Sequence, residues 1–246
     1  MKFSPYTDNM YLSKKNASWT YFNLCRQKLI AKIVKKYRLS KKRILEVGAY
    51  DIYGLSYLLD SGAIKKASDY SGLDIYSFHS PQIIKLARKN LLILKKKNRV
   101  LKYKLIDSKL EGFKTTKKFD AIFLFETLEH VENEKKCIDT LKKIVKRNGL
   151  LIISVPIEKY FGTFIKEIGR KIILKRCNYS WREIGYFLLG KMDKVRRKIG
   201  SHVGYDYDNT LRILKRNGFK VVYDRGYPVN IKYFDYGKVF VLKKDI

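Results

Sequence analysis

The chain has 246 residues, of which 46% are hydrophobic, and its 54 Lys and Arg against 23 Asp and Glu give a formal net charge of +31. This hydrophobic content is enough for one sizeable core. No apolar run approaches the roughly 18–20 residues of a membrane-spanning helix. The first apolar residues are interrupted by polar ones, so no signal peptide is predicted. The charge favours polyanionic partners, either nucleic acid or an anionic membrane leaflet, although basic residues spread along the whole chain also fit compositional drift.

The N-terminal region is predicted to form an arm followed by a helix. Residues 1–18 are polar and aromatic without a clear period. Residues 19–37 then place apolar side chains at helical spacing, namely Phe22, Leu29, Ile30, Ile33 and Val34. We expect this helix to end near Arg38.

From Lys41 onward, short apolar runs alternate with longer amphipathic segments. Ser80 and Pro81 suit the N-cap and first position of one of these helices, and another helix is predicted to run as far as Gly149. The predicted strands are RILEVGA, YSGLDIY, LKYKLID, FDAIFLFETL, LLIISVP, FKVVYDRG and KVFVLKK. The alternation predicts an α/β fold with a doubly wound, mostly parallel seven-stranded sheet whose last strand is antiparallel.

Residues 157–204 interrupt this alternation and are interpreted as a helical insertion. Between Lys159 and Gly200 there are 12 Lys and Arg against 3 Asp and Glu, mixed with many aromatic side chains. We therefore divide a single domain of residues 1–246 into an arm and helix (1–40), a core (41–156), a basic aromatic lid (157–204) and a segment that completes the core (205–246).

The stretch ILEVGAYDIYG, Ile44–Gly54, has the form of a strand followed by a ligand-binding turn. Gly48 allows a close backbone approach, and Glu46 suits a ligand that carries an amine. The glycines of a pyrophosphate-binding turn are absent, as is a phosphate-binding P-loop, so nicotinamide and ATP sites are disfavoured. An ordinary strand–turn–helix junction is the alternative interpretation.

The segment Lys117–Pro156 resembles class I S-adenosylmethionine-dependent methyltransferases, in the broad group that includes ubiquinone-type O-methyltransferases. The matching positions, in order, are Phe119, Asp120, Leu128, Glu129, His130, Val131, Asn148, Gly149 and Pro156, followed later by His202, Val203, Gly218 and Phe219. The resemblance covers roughly 43–156 and 202–242. It implies a Rossmann-like fold and S-adenosyl-L-methionine as the cofactor.

The resemblance also implies which residues hold the cofactor: Glu46, Gly48, Gly54, Asp74, Asp107, Ser108 and Glu126. Glu46 and Gly48 match the methionine-binding motif. Asp74 is preferred to Asp69 for the ribose hydroxyls, while Asp107 and Ser108 match the adenine-binding positions. Glu126 is assigned to the sulfonium side. For Glu126 the alternative is a helix N-cap, and for the other carboxylates it is a solvated loop acid.

Tyr50 and Ile52 stand where family members often have glycine in this turn. The cofactor carries no phosphate, so the turn has no phosphate to cradle, and the substitutions do not argue against the family. They do raise the question of how tightly the cofactor binds.

Two histidines in the matching motifs, His130 and His202, are candidate general bases. An ordinary imidazole pKa of about 6.5 suits proton transfer near neutral pH, and a hydroxyl acceptor needs a base. A purely structural role is the alternative for each. The cysteines Cys25, Cys137 and Cys177 form no metal-ligand spacing, so no metal is expected, and they fit a reducing cytosol.

The acceptor is predicted partly by exclusion. The stretch FETLEH lacks the N-P-P-[YF] motif of methylation at planar nitrogens, and no cysteine follows a proline there for covalent cytosine chemistry. O-methylation of a small or lipid-linked molecule, such as a polyprenyl-linked glycan or a quinone-like ring, is favoured. Methylation at a carbon or an amine nitrogen of a small molecule is the alternative.

The insertion stands where the family builds its substrate lid, and its basic, apolar composition suits peripheral contact with an anionic membrane. An ordinary helical cap that packs on the core is the alternative. The sequence therefore predicts a cytoplasmic enzyme, with peripheral membrane association open and the oligomeric state undetermined. RNA methylation and a non-catalytic basic binding module are the alternative functions.

Overall fold

The computed structural model of the protein describes residues 17–64, 69–97, 103–175 and 177–245, so residues 1–16 of the predicted arm lie outside it. The described helices are α1 (Ala17–Lys36), α2 (Tyr53–Asp60), α3 (Pro81–Lys97), α4 (Glu134–Ile144), α5 (Tyr160–Leu174), α6 (Trp181–Leu188) and α7 (Tyr207–Arg216). The strands are β1 (Arg43–Val47), β2 (Asp69–Asp74), β3 (Tyr103–Asp107), β4 (Phe119–Phe125), β5 (Val145–Pro156), β6 (Phe219–Tyr227) and β7 (Gly237–Lys244).

The seven strands form one sheet in the order β3-β2-β1-β4-β5-β7-β6. The pairs among β1 to β5 are parallel, and β7 runs antiparallel to both of its neighbours. This confirms the predicted doubly wound sheet with an antiparallel last strand. The order reverses between β1 and β4, which is where open parallel sheets place a ligand.

Both faces of the sheet are covered, which explains why the strands appear in the sequence as nearly continuous apolar runs. On one face, Ile44 and Phe123 pack with side chains from α1, α2 and α3. On the other, Leu45 and Ile122 pack with side chains from α4 and α7.

The helix predicted to run to Gly149 is shorter than expected. α4 ends at Ile144, and β5 begins at Val145, which is buried and pairs with Phe119 of β4. The register then shifts, and Asn148 takes a left-handed φ of 61° before the regular pairing resumes. A β-branched residue that can be buried against a neighbouring strand favours the strand, which local helical periodicity did not show.

The insertion has a small core of its own, made of Tyr179, Ile184, Phe187, Met192, Val195 and Val203. α6 begins with a reciprocal cap in which Ser180 accepts from the Glu183 amide and the Glu183 carboxylate accepts from the Ser180 amide. Among the described helices, none combines the length and the apolar character needed to cross a bilayer.

Candidate active site

A cavity of about 590 Å³ lies where β1, β2 and β4 end. It is lined by the turns that follow these strands and β3, by α1, by Tyr227 at the end of β6 and by Tyr236 just before β7. Of the predicted site residues, those that line it are Glu46, Gly48, Gly54, Asp74, Ser108, Glu126, His130 and His202. Residues that sequence motifs place far apart are thus gathered around one space.

The turn after β1 brings the backbone close to the end of β4. Gly48 has a φ of +73°, and a Cβ added there would lie 2.5 Å from Oγ1 of Thr127. The Thr127 hydroxyl is held in place because it donates to the Val47 carbonyl at 3.0 Å. Position 48 therefore requires glycine both for its conformation and for its space.

Tyr50 and Ile52 keep the left-handed conformation that glycine favours, with φ of 45° and 63°. Ile52 is fully buried, and the Tyr50 ring lies edge-on to His79 with ring centres 5.0 Å apart. Packing therefore holds two non-glycine residues in a backbone region that costs energy, and the turn keeps its shape without the extra glycines.

Glu46, the next-to-last residue of β1, is a buried carboxylate that lines the cavity. The Tyr70 hydroxyl donates to its Oε2 at 2.9 Å, and Gly54 leaves room for its other oxygen. Burial raises the pKa of Glu46 to about 8, although the Tyr70 hydrogen bond acts against the shift. A bound cation, such as an amino group, would restore the ionised form, so the site suits an amine-bearing ligand.

The two candidate ribose acids lie at opposite ends of β2. Asp74 ends the strand at the cavity, and its Oδ2 accepts from the Tyr50 amide at 2.6 Å. Its Oδ1 lies 2.9 Å from Nε2 of His79. Asp69 begins the strand and accepts from Nε of Arg43 at 3.0 Å. Only Asp74 is positioned to contact a ligand in this cavity.

We expect Asp74→Asn to weaken S-adenosylmethionine binding by about tenfold or more, because charged acceptors make the stronger hydrogen bonds to hydroxyl groups. Asp69→Asn is the matched control, since it changes the same group at the far end of the same strand. Isothermal titration calorimetry compares the two. Equal affinities in both variants would contradict the assignment of Asp74 to the ribose.

Asp107 ends β3 and Ser108 follows it, but the structure brings only Ser108 into the cavity lining. Asp107 is exposed, and its Oδ1 accepts at 3.3 Å from the amide and the hydroxyl of Ser77. The adenine-binding role of Asp107 therefore stays a prediction from the resemblance.

Glu126 follows β4 with a φ of 52° and is held by three different elements. Its Oε1 accepts from the Tyr227 hydroxyl at 3.1 Å and from the Ser154 hydroxyl at 3.3 Å. Nη1 of Arg26 lies 3.4 Å from the same oxygen. Glu126 is thus an oriented carboxylate on the cavity wall.

Arg26 is a site residue that the sequence motifs do not identify, although its position in α1 indicates one. Phe22, Arg26, Ile30 and Ile33 share one stripe of α1, so Arg26 is a single charge on an otherwise apolar face. A charge in that position needs a partner, and the partner is Glu126.

His130 and His202 meet at the same end of the cavity, with ring centres 4.8 Å apart. Oε1 of the fully buried Glu129 lies 3.4 Å from Nδ1 of His202 and 3.8 Å from Nε2 of His130. The His130 Nδ1 lies 3.0 Å from the Gly200 carbonyl. Glu129, matched by the motif but given no role there, is the centre of this group.

The pKa values of this group follow from burial and charge. Burial raises the pKa of Glu129, reinforced by the Glu126 carboxylate. Burial alone would lower the pKa of His202, but the adjacent Glu129 outweighs it and raises that pKa above its usual value. His202 is therefore a stronger base than an isolated imidazole.

The same three side chains could hold a metal ion. Glu129, His130 and His202 each offer one ligand atom, and these atoms lie within 4.8 Å of one another. The cysteine spacing predicts no metal, but that spacing does not include these carboxylate and histidine side chains. Carboxylate and imidazole ligands suit several divalent ions.

Comparisons with known proteins agree with the fold. A family profile described as a methyltransferase domain matches residues 20–224. A mitochondrial ubiquinone biosynthesis O-methyltransferase from Dictyostelium discoideum is 40% identical over 74 residues, which are 29% of this chain. That match spans only 22% of the length of the curated relative.

Solved structures with low sequence identity share the fold over most of both chains. The magnesium protoporphyrin IX methyltransferase from Synechocystis PCC 6803, with bound S-adenosylhomocysteine, superposes with a TM-score of 0.61 at 16% identity and covers 98% of this chain and 91% of its own. The N-methyltransferase NodS from Bradyrhizobium japonicum WM9 gives 0.55 at 14% identity, covering 92% of this chain and 97% of its own.

Proposed function

The chain belongs to the methyltransferase-domain family, and on that premise we propose that it transfers the methyl group of S-adenosylmethionine to an oxygen atom of a small or lipid-linked acceptor. The observation that carries the proposal is the shared cavity. All of the residues predicted to bind the cofactor except Asp107 line it, and so do His130 and His202, which lie beside the buried Glu129.

The residues of the cavity fit the cofactor. Gly48 leaves a space that a Cβ would fill, and the buried Glu46 carboxylate suits the cationic amino group of the methionine moiety. Asp74 ends β2 as an acceptor for the ribose hydroxyls. Glu126 is the carboxylate that we assign to the positively charged sulfonium side.

When bound, S-adenosylmethionine supplies an electrophilic methyl group attached to a sulfonium. The chain contributes alignment of the acceptor oxygen with that group and a place for the proton that the hydroxyl loses. His202 is the base that we propose, because Glu129 raises its proton affinity, and His130 lies beside it. His202 would accept the proton of the acceptor hydroxyl as a C–O bond formed and the C–S bond of the cofactor broke, with S-adenosylhomocysteine as the leaving product.

Oxygen is favoured as the acceptor atom because a hydroxyl must lose a proton during transfer. A carboxylate-supported histidine at the cavity wall meets that need. The Dictyostelium relative, which is named as an O-methyltransferase and matches this chain over 74 residues, supports the same choice. Polyprenyl-linked glycans and quinone-like hydroxylated rings are the acceptors that we propose.

Calorimetry tests cofactor binding and, with it, the role of Glu46. Because burial holds the Glu46 pKa near 8, much of this carboxyl is protonated at pH 7 without a ligand. A bound ammonium would ionise it, so binding releases a proton, and affinity rises with pH up to about pH 8. The measured enthalpy at pH 7 should therefore depend on the ionisation enthalpy of the buffer.

Glu46→Gln should bind more weakly and lose this buffer dependence, since its side chain cannot ionise. Absence of native binding at millimolar cofactor would overturn the proposed function and favour the non-catalytic basic module. Binding without transfer to hydroxylated lipids, but with transfer to RNA, would favour the RNA methyltransferase alternative.

A further inference from the structure

The helix α5 is turned with its apolar side outward. Phe164 packs on the small core of the insertion, but the fully buried side chains of α5 are polar: Thr163 and Glu167 are each 1% exposed. Glu167 pairs with Arg170, and Lys166 pairs with the buried Glu158. Its outward stripe, at intervals of four, three and four residues, consists of Phe161, Ile165, Ile168 and Ile172, exposed by 43%, 52%, 42% and 74%. This arrangement is the reverse of a helix that packs on a protein core.

The outward stripe continues onto neighbouring segments. The Phe161 ring lies 5.4 Å from that of Phe234, which is half exposed in the connection between β6 and β7. At the other end, Nζ of Lys171 lies 4.5 Å from the ring centre of Trp181, which is 73% exposed. We name these six residues the apolar face: Phe161, Ile165, Ile168, Ile172, Trp181 and Phe234.

Exposed cations surround the apolar face. Lys171 lies over Trp181, Lys232 lies 5.3 Å from the ring centre of Tyr233, and Lys175 and Arg182 are exposed nearby in the sequence. The acids of this region are few, and two are engaged: Glu167 is buried in an ion pair and Glu183 caps α6. Apolar side chains with aromatic residues and lysines at the edge match the interface of an anionic bilayer.

Other occupants fit less well. RNA binds through stacking on aromatic rings and through phosphate contacts. The aromatic side chains of the apolar face lie at its two ends, and its centre consists of the aliphatic Ile165, Ile168 and Ile172, which provide neither contact. A second copy of the chain would bring two strongly basic surfaces together, and the net charge of +31 opposes that contact. We propose that the apolar face docks this protein peripherally on an anionic membrane surface.

The docking surface is connected to the cavity. Tyr227 and Tyr236 flank the connection that carries Phe234, both line the cavity, and the Tyr236 amide donates to the Tyr227 carbonyl at 2.9 Å. Phe22 of α1 stacks on Tyr236 with ring centres 4.5 Å apart. A bilayer on the apolar face would lie beside this wall. The delivery of a lipid-linked acceptor rests on the proposed function, whereas the docking itself does not.

Vesicle co-sedimentation of the full chain tests the docking. We expect binding to vesicles that contain phosphatidylglycerol and weak binding to pure phosphatidylcholine. The double variant Ile165→Ser/Ile172→Ser should lose more than about tenfold in affinity for the anionic vesicles, because both side chains are outward and would enter the interface. Its far-ultraviolet circular dichroism should remain native.

Leu92→Ser is the matched control, since Leu92 on α3 is 61% exposed but lies outside the apolar face, with exposed lysines in the same helix. Equal vesicle binding by the native chain and the double variant would overturn the proposal. So would a native dimer that the double variant dissociates, or RNA binding that the double variant loses. Vesicle binding needs no cofactor, so its failure is distinct from failure of the methyl-transfer proposal.

Discussion

Replacing Gly48 with valine is expected to lower the affinity for S-adenosylmethionine by more than about a hundredfold. The added Cβ would meet Oγ1 of Thr127 at 2.5 Å, and a β-branched residue is strongly disfavoured at a φ of +73°. The turn must therefore move away from the end of β4. That movement also displaces the neighbouring part of the cavity wall.

Gly62→Val is the control for the conformational strain alone. Gly62 has a φ of +64°, but a Cβ added there would have no heavy atom within 4 Å. Both variants should lose stability, while only Gly48→Val should lose cofactor binding in calorimetry. Tyr50→Gly, which relieves a φ of 45°, should leave the affinity unchanged or raise it. Native-like affinity in Gly48→Val would exclude this turn as part of the cofactor site.

The second large effect is expected at His202, where asparagine should lower kcat by about a hundredfold or more while cofactor affinity is unchanged. A general base works only when it is unprotonated. Since Glu129 raises the pKa of His202, the rate should rise with pH through a pKa above the usual 6.5 and be lost below it. Activity measured across pH shows this rise directly, as the acid limb of the pH–rate profile.

Glu129→Gln removes the charge that raises the His202 pKa, so the limb should move to lower pH. A protein in which Glu129 only supports the fold would show a lower rate with an unmoved limb. His130→Asn is the neighbouring control, and retention of kcat by His202→Asn but not by His130→Asn would assign the base to His130.

A chelator separates this proton-transfer role from a metal role for the same residues. If Glu129, His130 and His202 act without a metal, activity should be unchanged after treatment with EDTA. Loss of activity that added Mg²⁺ or Zn²⁺ restores would instead assign the three side chains as ligands. This test distinguishes the two roles in the native chain, without any substitution.

The sequence predicted the centre of the sheet well because β1, β2 and β4 are buried on both faces. Residues 119–125, FDAIFLF, are almost all apolar, which favours a buried strand at the centre of the sheet. The motif that follows them carries Glu129 and His130. The prediction was poorer at helix ends. At Val145 the choice between helix and strand depended on the distant Phe119, which local periodicity does not include.

The candidate site was predicted in part. The sequence allowed either Asp69 or Asp74 as the ribose-binding acid. The choice depended on the direction of β2 and on its pairing with β1, which place Asp74 at the cavity. Asp107 matches the motif but does not line the cavity, and the charge of Arg26 is explained only by its ion pair with Glu126 at the end of β4. Whether a side chain reaches the cavity depends on distances between elements rather than on the pattern within one element.

The amino-acid sequence by itself determined the order of strands and helices, the antiparallel last strand and the resemblance to a methyltransferase. These follow from burial periodicity and short motifs, which are local properties. Only the tertiary structure decided that Asp74 faces the cavity, that Glu129 supports His202, and that α5 turns its isoleucines outward. Each of these depends on strand register and helix rotation, which are set by packing between residues far apart in the chain.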